Sequence, residues 1–385
     1  MNQAEFPKRQ TEDMSDRAFR MGEGRISGFI SVALGLLSIL AVLCYKFPSY
    51  LTTPELRAAY DPALLREILK YGMWASITFG LLTFILNRRK RLGAVGILAT
   101  LTAFALGGYW AEGPAIEPTA YFAGLDWLVL DLLATATVFI FIEKLWPKYR
   151  EQAILRPEWG HDLVYFAFNH LMIGVILLIV NGFAPSYFNW AVSAGFQAWI
   201  QDLPLILQVI GLIFAADFAQ YWVHRLFHTV PFLWRFHAVH HSSENMDWLA
   251  GSRTHFLDTL CVRSFSMVMI YLLGASKEAL DIYVVFASFQ AVFIHANFSG
   301  NFGPLRYLIT TPQFHHWHHS SDAIAIDMNY AAHLPLLDKI FGTYLMPGQH
   351  WPEKYGTVGD PLPRGIIKQH LYPFLPAPKS ETQPK

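Results

Sequence analysis

Long apolar runs separated by short polar breaks set the character of this chain. A helix needs about 20 mainly apolar residues to cross a bilayer. Runs of that kind lie at roughly 26–45, 71–87, 92–111, 124–143, 162–183 and 203–223. Two shorter runs follow at about 258–274 and 279–295, with the polar break Ala275-Ser276-Lys277-Glu278 between them. The pattern predicts an all-α, polytopic integral membrane protein of about six full transmembrane helices plus a short membrane hairpin. The first run is too long for the core of a signal peptide and no small-residue cleavage site follows it, so it is expected to remain as an anchor.

The same pattern divides the chain. Residues 1–25 read as a polar tail and 26–145 as an N-terminal four-helix membrane unit. The amphipathic stretch with Trp146, Pro147, Pro157 and Trp159 reads as a linker to a second unit, 160–345. Residues 346–385 form a Pro-rich tail that is expected to fold over one face of that unit. No internal repeat and no low-complexity tract is seen.

Charge orients the chain. Cytoplasmic loops of membrane proteins carry an excess of Lys and Arg. Lys8, Arg9, Arg17, Arg20 and Arg25, then Arg88, Arg89, Lys90 and Arg91, then Lys144, Lys148, Arg150 and Arg156 fall on one side. The opposite loops carry only Lys46, Arg57, Arg66 and Lys70. The N-terminus is therefore expected in the cytoplasm. The segments from His224 onward are expected on the same side, as a histidine-rich helical cap.

Composition supports this picture. Charged residues are 15% of the chain, against about 25% in soluble domains. The net charge is zero, which argues against nucleic acid or another polyanion as partner. Cys44 and Cys261 both lie in apolar segments, so neither a disulfide framework nor a thiolate metal site is expected.

The chemistry lies in the histidines. Of 16, 11 fall between His224 and His319, a quarter of the chain. His224 and His228 stand four apart; His237, His240 and His241 form H-x-x-H-H; His315, His318 and His319 repeat it, with His316 as an extra. On a helix, positions i, i+3 and i+4 lie near one another, so each triplet is expected to aim its imidazoles at one place. Imidazole suits iron, zinc, copper and nickel. With His295 the clusters make nine candidate ligands, enough for two metals at four or five each, whereas a structural zinc is satisfied by four. His255 is read as a ligand or as a group behind the imidazoles. His161, His170, His333, His350 and His370 are read as packing or interfacial residues.

These words resemble the fatty acid hydroxylase/sterol desaturase superfamily. The resemblance runs from Asp217 to Tyr344. It comprises Asp217-Phe-Ala-Gln-Tyr-Trp-Val-His224-Arg-Leu-Phe-His228, Phe236-His237-Ala-Val-His240-His241, Arg253-Thr-His255, Phe314-His315-His316-Trp-His318-His319, Asn329-Tyr330 and Leu337-Asp338. Where members carry an arginine-like residue in the third box, this chain has His316. The resemblance implies a membrane-bound, non-haem di-iron oxidoreductase that hydroxylates or desaturates a C–H bond of a sterol, fatty acyl or ether lipid. It implies two iron ions, O2 as co-substrate, and electrons from a separate cytochrome b5-like or ferredoxin-like protein. A bacterial inner membrane is the expected location ahead of the endoplasmic reticulum.

Carboxylates or amides should orient the imidazoles by accepting their other N–H. Asp217, two turns before His224, leads this group; Asp338, Asn297, Asn329 and His255 join it, and Asp258, Asp322 and Asp327 are lesser candidates. Two other classes compete with this reading. A membrane zinc hydrolase would want H-E-x-x-H, which does not occur. A divalent-metal transporter would place its ligands at the bilayer midplane, and a haem-b carrier would pair histidines across helices inside it.

Overall fold

The computed structural model describes residues 25–86, 90–113, 115, 116, 119, 122–359 and 362–376. Most of the expected N-terminal tail, Arg88 and Arg89 of the second basic loop, and residues 377–385 lie outside the described residues. Those described are helical, with two isolated bridges, Pro147 with Phe298 and Ser320 with Tyr355, and no strand among them.

Among the described residues, seven helices are long and apolar enough to cross a membrane: Ile26–Lys46, Pro62–Leu86, Lys90–Trp110, Leu125–Leu145, Trp159–Ala191, Leu205–Thr229 and Phe256–Leu273. The chain is an integral membrane protein. The second span starts nine residues before the expected 71, because its first turns are amphipathic rather than apolar. Leu69 and Met73 are buried there, while Arg66 donates to the Tyr109 carbonyl (3.0 Å) and covers the Tyr45 ring. The sixth span outruns its expected end at 223, since nothing breaks the helix before Val230-Pro231. His224 and His228 therefore ride on the last turns of a span, not on a separate cap.

The chain divides into two compact units, residues 1–131 with 151–156, and 132–150 with 157–385. In the first, the Arg25–Lys46, Pro62–Leu86 and Lys90–Ala105 helices approach closely through small residues. Ser31 Oγ donates to the Ser76 carbonyl (2.8 Å), Ser76 Oγ to the Ser31 carbonyl (2.7 Å), and Thr100 Oγ1 to Ser76 Oγ (2.7 Å). Gly96 leaves no room for a Cβ against Ser31. Such packing suits helices in lipid, where no hydrophobic force favours helix over solvent.

In the second unit, the Leu205–Thr229 helix packs on the hairpin of Phe256–Leu273 and Lys277–Phe293, burying Leu212, Ala216, Ile270 and Tyr283 together. Gly274 ends the first hairpin helix in a left-handed conformation (φ +63°), and Ser276 caps the second by accepting from Ala279 N. The segment after Met346 folds onto this unit: Tyr165 Oη donates to Gln369 Oε1 (2.8 Å) and Arg235 Nη2 to the Tyr372 carbonyl (2.7 Å).

Candidate metal centre

Four elements of the second unit carry the clustered histidines. The Leu205–Thr229 helix ends with His224 and His228, and the Pro231–His241 helix, begun by Pro231, ends with His237, His240 and His241. His295 sits in the turn after Phe293. The Pro312–His318 helix, capped by Thr311, carries His315 and His318, with His319 as its C-cap.

The imidazoles gather in two groups, His224, His228, His237, His241 and His318 in one, His240, His295, His315 and His319 in the other. Each H-x-x-H-H word is split between them, contrary to the expectation that a triplet aims at one place. Its first and last members go to one group and its middle member to the other. Successive helical residues are about 100° apart around the axis, so i and i+4 diverge by about 40° while i+3 and i+4 diverge by about 100°. The second and third words are used oppositely. His237 and His241 join the first group with His318; His315 and His319 join the second with His240.

Within each group the Nε2 atoms converge. His224 and His237 are 3.0 Å apart, His241 and His318 3.1 Å, His240 and His295 3.3 Å, His295 and His315 3.0 Å, His315 and His319 3.1 Å. The opposite ring nitrogens explain what these contacts are. Nδ1 donates to a backbone carbonyl in His224 (Tyr330, 2.7 Å), His240 (Arg253, 3.1 Å), His295 (Ala291, 2.7 Å) and His318 (Met328, 2.9 Å). His237 Nδ1 meets Asp258 Oδ2 at 2.7 Å. A carbonyl only accepts, so the proton is on Nδ1 and Nε2 is a bare lone pair.

Burial keeps the rings from gaining a second proton. It holds His240, His241, His315 and His319 well below the ordinary imidazole range, His295 at about 4 and His318 at about 3. His240 and His295 thus face each other at 3.3 Å through two unprotonated nitrogens. That repulsion is relieved by a cation, and nitrogens about 2.1 Å from one ion at right angles stand about 3.0 Å apart. His228 Nε2 is buried without a partner, and His228 Nδ1 lies 3.6 Å from Asp327 Oδ1. The donor set fits a pair of borderline transition metals.

The remaining expected residues take other places. His316 turns away from both groups: Nε2 donates to the carbonyls of His295 and Ala296 (both 3.1 Å), and Nδ1 accepts from Tyr355 Oη (2.8 Å). It braces the turn that presents His295. His255 caps the Phe256–Leu273 helix, accepting from Leu257 N (3.1 Å), with Nε2 at the His370 carbonyl (3.1 Å). Asn297 Oδ1 accepts from the amides of Lys148 (3.1 Å) and Tyr149 (2.8 Å).

Asp217, Asp338 and Asn329 do not touch imidazoles; they hold the backbone that does. Asp217 accepts from the amides of Ala332, His333 and Leu334, and Asp338 from those of Tyr330 and Ala331. Asn329, left-handed at φ +62°, donates to the carbonyls of Phe314 and Leu345 and accepts from Leu345 N. Asp322 lies in a turn, its amide bonded to Ser320 Oγ (3.0 Å).

Of the lesser candidates, Asp258 is the one bonded to a cage ring. The carbonyls of Arg253, Ala291, Met328 and Tyr330 went unforeseen, because a carbonyl is common to every residue. The buried Arg253 side chain is itself held by Asp162 (2.6 Å) and Glu158 (3.1 Å).

Residues 209–343 match the fatty acid hydroxylase family model. The chain is 28% identical over 263 residues to ornithine lipid hydroxylase OlsE of Rhizobium tropici, covering 66% of this chain and 79% of that protein. It is 33% identical over 129 residues to alkylglycerol monooxygenase of Xenopus tropicalis, covering 34% of this chain and 28% of that protein. It is 30% identical over 148 residues to very-long-chain aldehyde decarbonylase GL1-5 of Oryza sativa subsp. indica, covering 35% of this chain and 23% of that protein. No solved structure matches.

Proposed function

We propose that the chain is a membrane oxidoreductase with a fatty acid hydroxylase-like domain, an O2-dependent di-iron enzyme that hydroxylates a C–H bond of a membrane lipid. The observation that carries this reading is the approach of bare Nε2 atoms in two all-imidazole groups, five and four strong. A mononuclear zinc is over-supplied by nine imidazoles, and neither group includes a carboxylate to act as a hydrolytic base.

His224, His228, His237, His241 and His318 would hold one iron, and His240, His295, His315 and His319 the other. Bound there, the pair would supply O2 activation and oxidation of an alkyl C–H bond. The chain's own residues supply position. The carbonyls of Tyr330, Met328, Arg253 and Ala291 and the Asp258 carboxylate keep the proton on Nδ1 of His224, His318, His240, His295 and His237, so that the Nε2 of these five rings faces inward. Burial of the rings excludes water from the centre.

The substrate would be a lipid with a polar head and an alkyl chain, entering sideways from the bilayer. The relatives' names, an ornithine lipid hydroxylase and an alkylglycerol monooxygenase, favour hydroxylation over desaturation. The loop charges favour a cytoplasmic centre, and a bacterial inner membrane is the proposed location. Electrons would come from a separate cytochrome b5-like or ferredoxin-like protein docking on that side.

The test is metal content. Protein purified in detergent from iron-replete cells, without chelator, should hold two irons per chain. The double variant His240→Ala/His318→Ala, which takes one ligand from each group, should lose both. One zinc, or no metal in a folded protein after anaerobic iron loading, would send the reading back to a hydrolase or transporter.

A further inference from the structure

A cluster of cations and aromatic rings lies beside the spans of the second unit and takes no part in the cage. Two short segments build it, Gly303–Tyr307 and Leu336–Phe341. Lys339 Nζ stands 4.3 Å from the centre of the Tyr307 ring and 5.0 Å from that of Tyr344. Arg306 Cζ stands 5.0 Å from the Tyr307 ring, and its Nη2 donates to Tyr307 Oη (3.0 Å). Two cations thus share one ring.

These like charges repel, and no acid pairs with either among the described residues. The acid next in sequence, Asp338, is buried and taken up by the amides of Tyr330 and Ala331 and the Thr343 hydroxyl. Two donors of the cluster, Arg306 Nε and Tyr344 Oη, are shielded from solvent and have no hydrogen-bond partner among the described residues. Unbalanced positive charge and unmet donors are both relieved by an anion.

Packing sets the cluster at the edge of the membrane. Phe341 lies edge-on to Trp222 (centroids 4.9 Å) and 5.2 Å from Tyr221, both on the Leu205–Thr229 span. Gln290, near the end of the Lys277–Phe293 helix, donates to the carbonyl of Thr310 (2.6 Å), just past the first segment. About 20 residues from Leu205, the thickness of a hydrocarbon core, the span reaches Arg225. Arg225 lies over Trp222 (5.7 Å) and donates to Tyr221 Oη (3.2 Å). A cation beside Trp and Tyr marks the level where hydrocarbon gives way to head groups. Around the cluster Leu305, Leu308, Leu336 and Ile340 are exposed, as are Trp222 and Leu226 on the neighbouring span. An apolar rim continuous with the outer face of a span meets acyl chains, and the cations inside it meet the heads those chains carry. An acidic peptide would have to displace lipid to reach the same place.

We propose that Arg306, Tyr307, Lys339 and Tyr344 form a seat for the phosphodiester head of an anionic phospholipid, in the leaflet on the side of the cage. The guanidinium and ammonium supply charge, and Arg306 Nε and Tyr344 Oη supply donors for the phosphate oxygens. Lipid held there would also brace residues 330–333, because the two segments grip them: Thr310 N donates to the His333 carbonyl (2.8 Å), and Asp338 accepts from Tyr330 N and Ala331 N. The seat is separate from the metal centre, so it stands or falls independently of the di-iron reading.

The test reads lipid binding to the full chain in neutral detergent. Native mass spectrometry follows the tightest-bound lipid as palmitoyl-oleoyl phosphatidylglycerol or phosphatidylcholine is added. The two share their chains, and phosphatidylcholine carries an ammonium that cancels its phosphate, so phosphatidylglycerol should bind in preference. Each cation near an anionic head is worth about fivefold. Lys339→Gln should therefore cut the preference about fivefold, and the double variant Arg306→Gln/Lys339→Gln about 25-fold. Arg364→Gln, an exposed cation that faces Glu158 instead, should leave it unchanged. Equal binding of the two lipids, or an undiminished preference in the double variant, overturns the proposal. Inorganic phosphate that displaces phosphatidylglycerol at equal concentration would assign a free anion to the cluster and overturn the lipid seat. Lys339 is exposed, so its variant decides even where Tyr344→Phe fails to fold.

Discussion

Asp217 and Asp338 between them accept hydrogen bonds from five consecutive backbone amides, Tyr330 to Leu334. The first residue of that strap, Tyr330, offers the carbonyl that fixes His224. Two buried acids thereby act on the cage through the main chain. Asp217→Asn swaps an acceptor for a donor facing amide hydrogens. An unmet buried group costs about 1–3 kcal/mol, so the melting temperature should fall, and iron should become easier to strip. The same substitution at Asp338 should act in the same direction through Tyr330. A variant that melts normally and keeps its iron would show the strap to be dispensable.

The two groups should empty separately. His228→Ala with His241→Ala removes two ligands of the five-histidine group and none of the other. Iron content should fall from two to one per chain, with activity lost. His315→Ala with His319→Ala should do the same from the other side. Loss of both metals in either variant would mean the groups fill only together.

Asp258 polarises His237, and a partner of this kind typically affects metal affinity by 10–100-fold (about 1–3 kcal/mol). Asp258→Asn keeps an acceptor for Nδ1–H but removes the charge. Competition with a chelator should show weaker iron retention in that variant, and weaker still in Asp258→Ala.

His316 offers the opposite expectation. Both of its nitrogens are engaged away from the groups. His316→Gln should still load two irons, while the loosened His295 turn raises their rate of loss to chelator. A stoichiometric loss of one iron in this variant would instead make His316 a ligand.

Acid should destabilise the metal-free protein in a defined window. Burial lowers His295 to about 4 and His318 to about 3 from the ordinary 6.5. Between about pH 6.5 and about pH 4 the unfolded chain binds more protons than the folded one, so stability rises with pH there. The contribution is fully present above pH 6.5 and is lost as pH falls through the folded values. Melting temperature in detergent should be level above about pH 7 and drop steeply below about pH 6. A melting temperature that stays level to about pH 4 would contradict neutral burial of these rings.

Helical class, the spans and the three histidine words are properties of neighbouring residues. Hydropathy and a 3.6-residue period are carried by local order along the chain, and they are readable without any folded context. A hydropathy window alone misses the amphipathic turns of Pro62–Leu86 and ends the Leu205–Thr229 helix too early, before His224. The partition of nine histidines into five and four was decided only by how four elements meet. So was the turning away of His316 and His255, whose residue type is the same as that of a ligand. The groups that fix the rings were hardest to foresee. Four are backbone carbonyls, which every residue has, and those of Met328 and Tyr330 are set by long-range contacts: Asp217 and Asp338 across the strap, and Asn329 in a left-handed turn.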